Sequence, residues 1–120
     1  MKVLNFGSLN IDYVYSVDHI LREGETISSK KLEEFPGGKG LNQSVALARA
    51  GVQVYHAGAV GPEGEMLLEL CRDNGVNTDF IRRVDVKSGH TMIQVDKNGQ
   101  NSILLFGGSN QAQTEEHIGQ

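Results

Sequence analysis

Three glycines within four positions, running straight into a stretch of small and apolar residues, constrain this chain more than any other feature. The block is FPGGKGLNQSVALARAG, residues 35–51. Glycine reaches backbone torsions and close approaches that a Cβ blocks, so Pro36 to Gly40 is expected to form a tight loop. Leu41 to Ala50 then reads as a helix with Gly51 as its stop. Its small residues, Ser44, Ala46, Ala48 and Ala50, are expected to let the helix lie close against a sheet. The first turn of such a helix directs backbone N–H groups at whatever occupies the loop. Lys39 and Asn42 add polar side chains at the same place, so the constellation can grip hydroxyl oxygens or an anion. It is not a Walker A loop, because Lys39 is followed by Gly40 rather than by Ser or Thr, and its glycines do not fit GxGxxG. The plainer alternative is a glycine-rich turn with Asn42 capping the helix.

Around this block the chain alternates strand-like and helix-like patterns, which predicts an α/β fold. Val3–Leu9 reads as a buried strand ending near Gly7 and Ser8. From Ile11 to Asp18 the residues alternate. Ile11, Tyr13, Tyr15 and Val17 share one face, and Asp12, Val14, Ser16 and Asp18 share the other. After the polar turn REGE (22–25), Thr26–Phe35 reads as a strand exposed on one face, outside the main core. Val52–Val60 is a second core strand. Pro62 and Glu63 open the next helix, whose apolar stripe is Leu67, Leu70 and Cys71 and whose stop is Gly75. Shorter strands follow near Phe80–Val84, Thr91–Val95 and Ser102–Phe106, with DKNGQN (96–101) as a hairpin turn between the last two. Thr114-Glu115-Glu116 reads as a helix start. The chain stops soon after it, so the natural polypeptide is expected to continue.

Composition excludes several classes of function. The chain has 120 residues, of which 38% are hydrophobic and 22% charged, ordinary for a single soluble domain. A globule of this size hides roughly two thirds of the surface its unfolded chain exposes, and needs neither disulfide nor structural metal. Net charge is −4 with no basic stripe, which argues against a nucleic-acid partner. No apolar run approaches the ~20 residues of a membrane span, and the start does not read as a signal peptide. A single cysteine and the absence of zinc-ligand spacing suit a reducing cytoplasm.

A second polar group stands at Asn10 and Asp12. Two apart on an extended segment, they project from one face just past a core strand, where α/β folds place ligands. Asn both donates and accepts, while an ionised Asp accepts at two oxygens, a combination that suits a polyol. The alternative is an Asx-turn leaving the strand. The remaining candidates read more plainly. Cys71 is expected to be a buried inert thiol, and His56 a satisfied structural histidine. His19, Glu25 and His117 are expected at the surface. His90 and Met92 share one strand face, Thr91 and Ile93 the other, and the sequence leaves open which of the two faces a ligand.

GSLNIDYV (7–14), REGETI (22–27), GGKGLNQSVALARAG (37–51) and VGPEGE (60–65) stand in the order found in one family. Together they resemble the N-terminal part of the ribokinase branch of the PfkB carbohydrate kinases. A weaker likeness continues through NSILLFGGSN (101–110), so nearly the whole chain is covered. The resemblance implies a ribokinase-like fold, a central mostly parallel sheet with flanking helices plus a small β-sheet lid that closes over the sugar. It implies sugar-binding roles for Asn10, Asp12, Gly38, Lys39 and Asn42, with Gly37 and Gly40 shaping the loop. Strands at approximately 11–18, 26–35, 91–95 and 102–106 would form the lid, where His90, Thr91, Met92 and Ile93 are possible sugar contacts. The implied reaction is ATP-dependent phosphorylation of a sugar primary hydroxyl, ribose to ribose 5-phosphate being favoured. Magnesium and a monovalent cation such as potassium would assist, and the lid would pair two copies as a homodimer. The family's catalytic motifs, a GAGD-type anion hole and an NxxE-type magnesium motif, are not in these residues, and Gly107-Gly108-Ser109-Asn110 is not such a motif. The chain is therefore expected to hold half an active site, with no catalytic or metal-binding residue of its own, and to be inactive alone. Two alternatives stay open: a kinase for another sugar, fructose-type or nucleoside, and a non-catalytic sugar-binding or dimerisation module.

Overall fold

A computed structural model of the chain describes residues 2–112. Its elements are β1 (Lys2–Phe6), β2 (Asn10–Ser16), β3 (Lys31–Gly37), α1 (Lys39–Arg49), β4 (Gln53–Val60), α2 (Glu65–Asp73), β5 (Asn77–Arg83), β6 (Gly89–Val95) and β7 (Asn101–Phe106), then a 3₁₀ turn at Gly108–Ala112. The helix start expected at Thr114 lies outside the described residues.

Three parallel strands in the order β1-β4-β5 form the first sheet. Helices α1 and α2 cover one of its faces, and the core between them is Leu9, Leu41, Val54, Val60, Leu67, Leu68, Cys71 and Val76, joined by Ile11 from β2. Alternation along β1 leaves the other face open. Leu4 and Phe6 point away from the helices and are 62% and 49% exposed, and on the same face Tyr55 lies 6.0 Å from Phe80. The expected buried strand Val3–Leu9 is thus corrected. Strand pairing stops at Phe6, only one side is covered, and Leu9 is buried after the chain has left the strand.

Both helices bury a stripe of helical period. In α1 it is Leu41 and Ser44, with Val45 and Ala48 partly covered, while Ala46 and Ala50 face outward. Residues 44, 46, 48 and 50 step by two, and a helix cannot hold four such positions on one face. In α2 the buried set is Leu67, Leu68 and Cys71, Leu70 being only partly covered. That helix begins at Glu65, because Pro62–Gly64 is taken up by a turn. Both helices end on a glycine in the left-handed region, Gly51 at φ 90° and Gly75 at φ 78°. The chain then folds back, with Val52 N donating to Leu47 O at 3.1 Å and Val76 N to Cys71 O at 2.8 Å.

The second sheet has four strands in the order β3-β2-β6-β7, with β2 and β6 parallel and antiparallel strands on either side. Segment 26–30, expected as strand, is not. Ser29 Oγ donates to Lys31 O at 2.8 Å and accepts from Lys31 N at 3.3 Å. This local bonding competes with a ladder, so pairing begins only at Lys31. Between β6 and β7, Asp96 Oδ1 accepts from Asn98 N at 2.9 Å and Gln100 N at 3.0 Å, closing the turn. No helix among the described residues is long and apolar enough to cross a membrane.

Candidate functional site

Where β1 ends, Gly7-Ser8-Leu9 carry the chain directly into the second sheet. The start of α1 rests on these same residues, Leu41 N donating to Ser8 O at 3.2 Å. The contact is backbone against backbone: a Cβ on Gly40 would lie 2.6 Å from Gly7 Cα. Gly38, at φ 101°, is the residue before the helix, and no side chain caps the helix end. Asn42 sits inside the helix, its N–H donating to Gly38 O at 3.0 Å, so it is not the cap. The first turn of α1 therefore opens at the carboxyl end of the parallel sheet, the position where open α/β sheets receive ligands. Lys39 and Asn42 are exposed there, three residues apart and so on one helix face.

Asn10 and Asp12 start β2 beside this loop and share a face of it. Thr91 Oγ1, on the neighbouring strand β6, donates to Asp12 Oδ1 at 2.7 Å. From the other side, a Cβ on Gly37 would fall 2.6 Å from Asp12 Oδ2, so the glycine block makes room for this carboxylate. Asn10 Oδ1 accepts from Asn110 Nδ2 at 2.6 Å. Asn110 Oδ1 in turn accepts from Leu9 N at 3.0 Å, and because a backbone N–H only donates, the amide orientation is fixed. A cleft of about 210 Å³ opens beside Phe6, Gly7, Ser8, Gly58 and Asn110.

Of the residues singled out from sequence, Asn10, Asp12, Gly37, Gly38, Lys39, Gly40 and Asn42 come together at this seam between the two sheets. On β6 the two faces separate. Thr91 and Ile93 lie on the face of Asp12, whereas His90 and Met92 lie on the opposite one, in register with Ile11 and Tyr13. His90 packs against Tyr13 at 5.7 Å and Phe106 at 5.2 Å between ring centroids, and its Nδ1 donates to Ser88 O at 2.9 Å. Asn110 was not singled out. Its sequence signals are a polar residue two places after a pair of glycines at a strand end and its place in the weaker likeness at 101–110, a hundred positions from its partner.

Chemically, Asp12 keeps acceptor capacity beyond the one bond from Thr91, and Asn10, its carbonyl taken, offers amide hydrogens. Lys39 adds a positive charge, and the uncapped helix end adds backbone donors. Such a set suits vicinal hydroxyls. Among the described residues no three His, Cys, Asp or Glu side chains cluster as metal ligands.

The profile of the pfkB family of carbohydrate kinases matches residues 1–119. The chain belongs to that family. Among curated relatives, the ribokinase of Bacillus subtilis is 39% identical over 106 residues, spanning 87% of this chain and 36% of its own length. Among solved structures, ribokinase of Cryptococcus neoformans var. grubii in complex with ADP superposes with TM-score 0.86 at 45% identity, over 90% of this chain and 35% of that one. Arabidopsis thaliana ribokinase complexed with ribose and ATP gives TM-score 0.86 at 36% identity, over 93% and 38%. The chain thus spans only 22–40% of the length of the curated relatives it matches. With them it shares the ribokinase fold, a parallel α/β sheet joined to a second small sheet.

Proposed function

We propose that this chain supplies the sugar-binding part of an ATP-dependent kinase of the ribokinase type, converting ribose to ribose 5-phosphate. The observation that carries the reading is the meeting of Asp12 with the glycine loop, which sets a carboxylate against Gly37, just before the uncapped start of α1. Support for ribose comes from relatives named ribokinase and from the Arabidopsis protein solved with ribose and ATP. Asp12 and Asn10 would hold the sugar hydroxyls, Gly38 would let the backbone approach, and Lys39 and Asn42 would add contacts from the helix. Phosphoryl transfer depends mainly on placing the reactants and offsetting charge. Here these residues do the placing. The four-stranded sheet would act as the lid, excluding water from the reacting groups. Thr91 and Ile93, on the Asp12 face, are its proposed contacts.

ATP, magnesium and a potassium-type cation supply the phosphoryl group and its charge balance when bound. We assign them, with the base that takes the hydroxyl proton, to the part of the protein that these 120 residues do not match in the longer relatives. The protein would work in the cytoplasm as a homodimer joined through the lid sheet. Apolar residues exposed on both faces of β7 support that pairing. Asp12→Ala in the full-length protein tests the reading. Sugar kcat/KM should fall about 10- to 150-fold, the effect of one charged hydrogen bond, with the KM for ATP unchanged. An unchanged kcat/KM for ribose, and likewise for fructose and a nucleoside, refutes it.

A further inference from the structure

His56 is fully buried on β4, and the proposed sugar contacts leave it unused. Its Nε2 lies 3.1 Å from Gly7 O and its Nδ1 2.6 Å from Ser44 Oγ. A carbonyl only accepts, so Nε2 carries the hydrogen and Nδ1 presents its lone pair to the Ser44 hydroxyl. Ser44 Oγ accepts in turn from Asn5 Nδ2 at 2.9 Å, and the same amide group donates to Gly40 O at 2.9 Å. The chain of bonds therefore runs from Gly40 O through Asn5, Ser44 and His56 to Gly7 O, with a donor facing an acceptor at every link. Its two ends are the two residues whose backbones touch at the seam.

We propose that Asn5, Ser44 and His56 are positioning residues for the glycine loop, clamping the backbone at Gly7 and Gly40 so that Gly38, Lys39 and Asn42 stand correctly against Asp12. The proposal rests on the sugar-kinase reading for its effect on turnover, though not for its effect on the loop. Two physical points favour it over a merely structural polar cluster. Apolar side chains of similar volume would fill these three positions without any buried group to satisfy. The polar ones spend their outward bonds on the two carbonyls that flank the seam. Burial also holds the imidazole below its usual proton affinity, which preserves the neutral form that the bond pattern requires.

The test uses the full-length protein in four forms: parent, His56→Phe, a triple variant with Asn5→Val, Ser44→Ala and His56→Phe, and Cys71→Ala. Cys71 is buried in the core on α2, so its truncation costs stability away from the loop. The triple variant leaves none of the three side chains with an unmatched polar group. Both loop variants should raise the KM for ribose about tenfold, the loss expected for about one net hydrogen bond, and leave the KM for ATP unchanged. Their Leu41 amide, which donates to Ser8 O, should exchange with solvent faster than in Cys71→Ala at matched thermal stability. His56→Gln, which retains a donor toward Gly7 O, should recover part of both losses. A parental KM for ribose in the triple variant, or an equal rise in Cys71→Ala, overturns the proposal. If the parent itself turns over no sugar, the kinase reading fails instead, and amide exchange then decides: faster exchange in the loop variants upholds the clamp, equal exchange overturns it.

Discussion

The helix-covered face of the first sheet and the outer strand of the second treat their apolar residues in opposite ways. In the first, Val54 and Val60 are 1% and 0% exposed beneath the helices, whereas Ile103, Leu104 and Leu105 of the second are 61–66% exposed. Side-chain packing therefore carries the stability of the α/β layer, while the four-stranded sheet is held mainly by its backbone ladders. The candidate site lies at the boundary. On one side stand α1 and the glycine loop, seated on Gly7 by close backbone contact. On the other are Asp12 and Thr91, carried by the lightly packed sheet. A site built this way has one wall set by the core and one wall free to be adjusted, which is what closure over a small ligand demands.

That contrast can be broken most directly by truncation. Leu41→Ala, at 0% exposure in the shared core, should lower stability by about 2–5 kcal/mol. Leu104→Ser, at 66% exposure on β7, should change it by less than about 0.5 kcal/mol when the protein is dilute enough to be monomeric, since pairing through the lid sheet would cover β7. Urea unfolding of the full-length protein measures both. Comparable losses would show that β7 is packed as tightly as the core, and the contrast would fall.

A smaller effect sharpens the picture at the seam itself. Gly40→Ala places a methyl carbon 2.6 Å from Gly7 Cα, and neither backbone can yield without moving the other. Overpacking of this kind costs about 1–3 kcal/mol. If the rigid wall is the one α1 provides, the variant should also weaken sugar binding beyond what its stability loss explains. Calorimetric titration with ribose checks this, and binding equal to the parent's would place the critical rigidity elsewhere.

Much of this architecture is legible in the sequence because local rules decide it. Glycines at 51 and 75 end the helices in the left-handed conformation, and the alternation at 11–17 lays out β2 with Asp12 opposite Tyr13. Gly38 and Gly40 mark the loop because only glycine tolerates a positive φ at one and a backbone contact at the other. What the sequence hides depends on tertiary surroundings. The exposure of Leu4 and Phe6 follows from which sheet face the helices cover, a fact absent from the residues of β1. The burial of Ser44 rather than Ala46 follows from helical phase against the sheet. Asn110 reaches Asn10 across a hundred positions, and no local pattern announces such a pair. Which face of β6 meets Asp12 is likewise settled only by its parallel register with β2.

The smallest expected effect lies in the connection between β2 and β3, far from the packed core. There His19 Nε2 meets Glu25 Oε1 at 2.8 Å and His19 Nδ1 meets Asp18 Oδ2 at 3.2 Å. Hydrogen bonds that the imidazole donates to Glu25 and then Asp18 raise its proton affinity above its usual 6.5. Bonds from the Arg22 backbone and then His19 lower that of Glu25 below its usual 4.5. A raised imidazole value contributes fully below 6.5 and is lost as pH rises through the raised value above it. A lowered carboxyl value contributes fully above 4.5 and is lost as pH falls through the lowered value below it. The clip is therefore tightest between pH 4.5 and 6.5. These side chains are solvent-screened, so global stability should hardly register it. The local readout is the neighbouring Leu21 amide, which donates to Gln94 Oε1 at 2.8 Å and so ties this connection to β6. Its protection, corrected for intrinsic exchange, should peak in that window and flatten in His19→Gln. A flat profile in the parent would mean that the connection is held by the Leu21–Gln94 bond and the β-ladder alone, without help from charge.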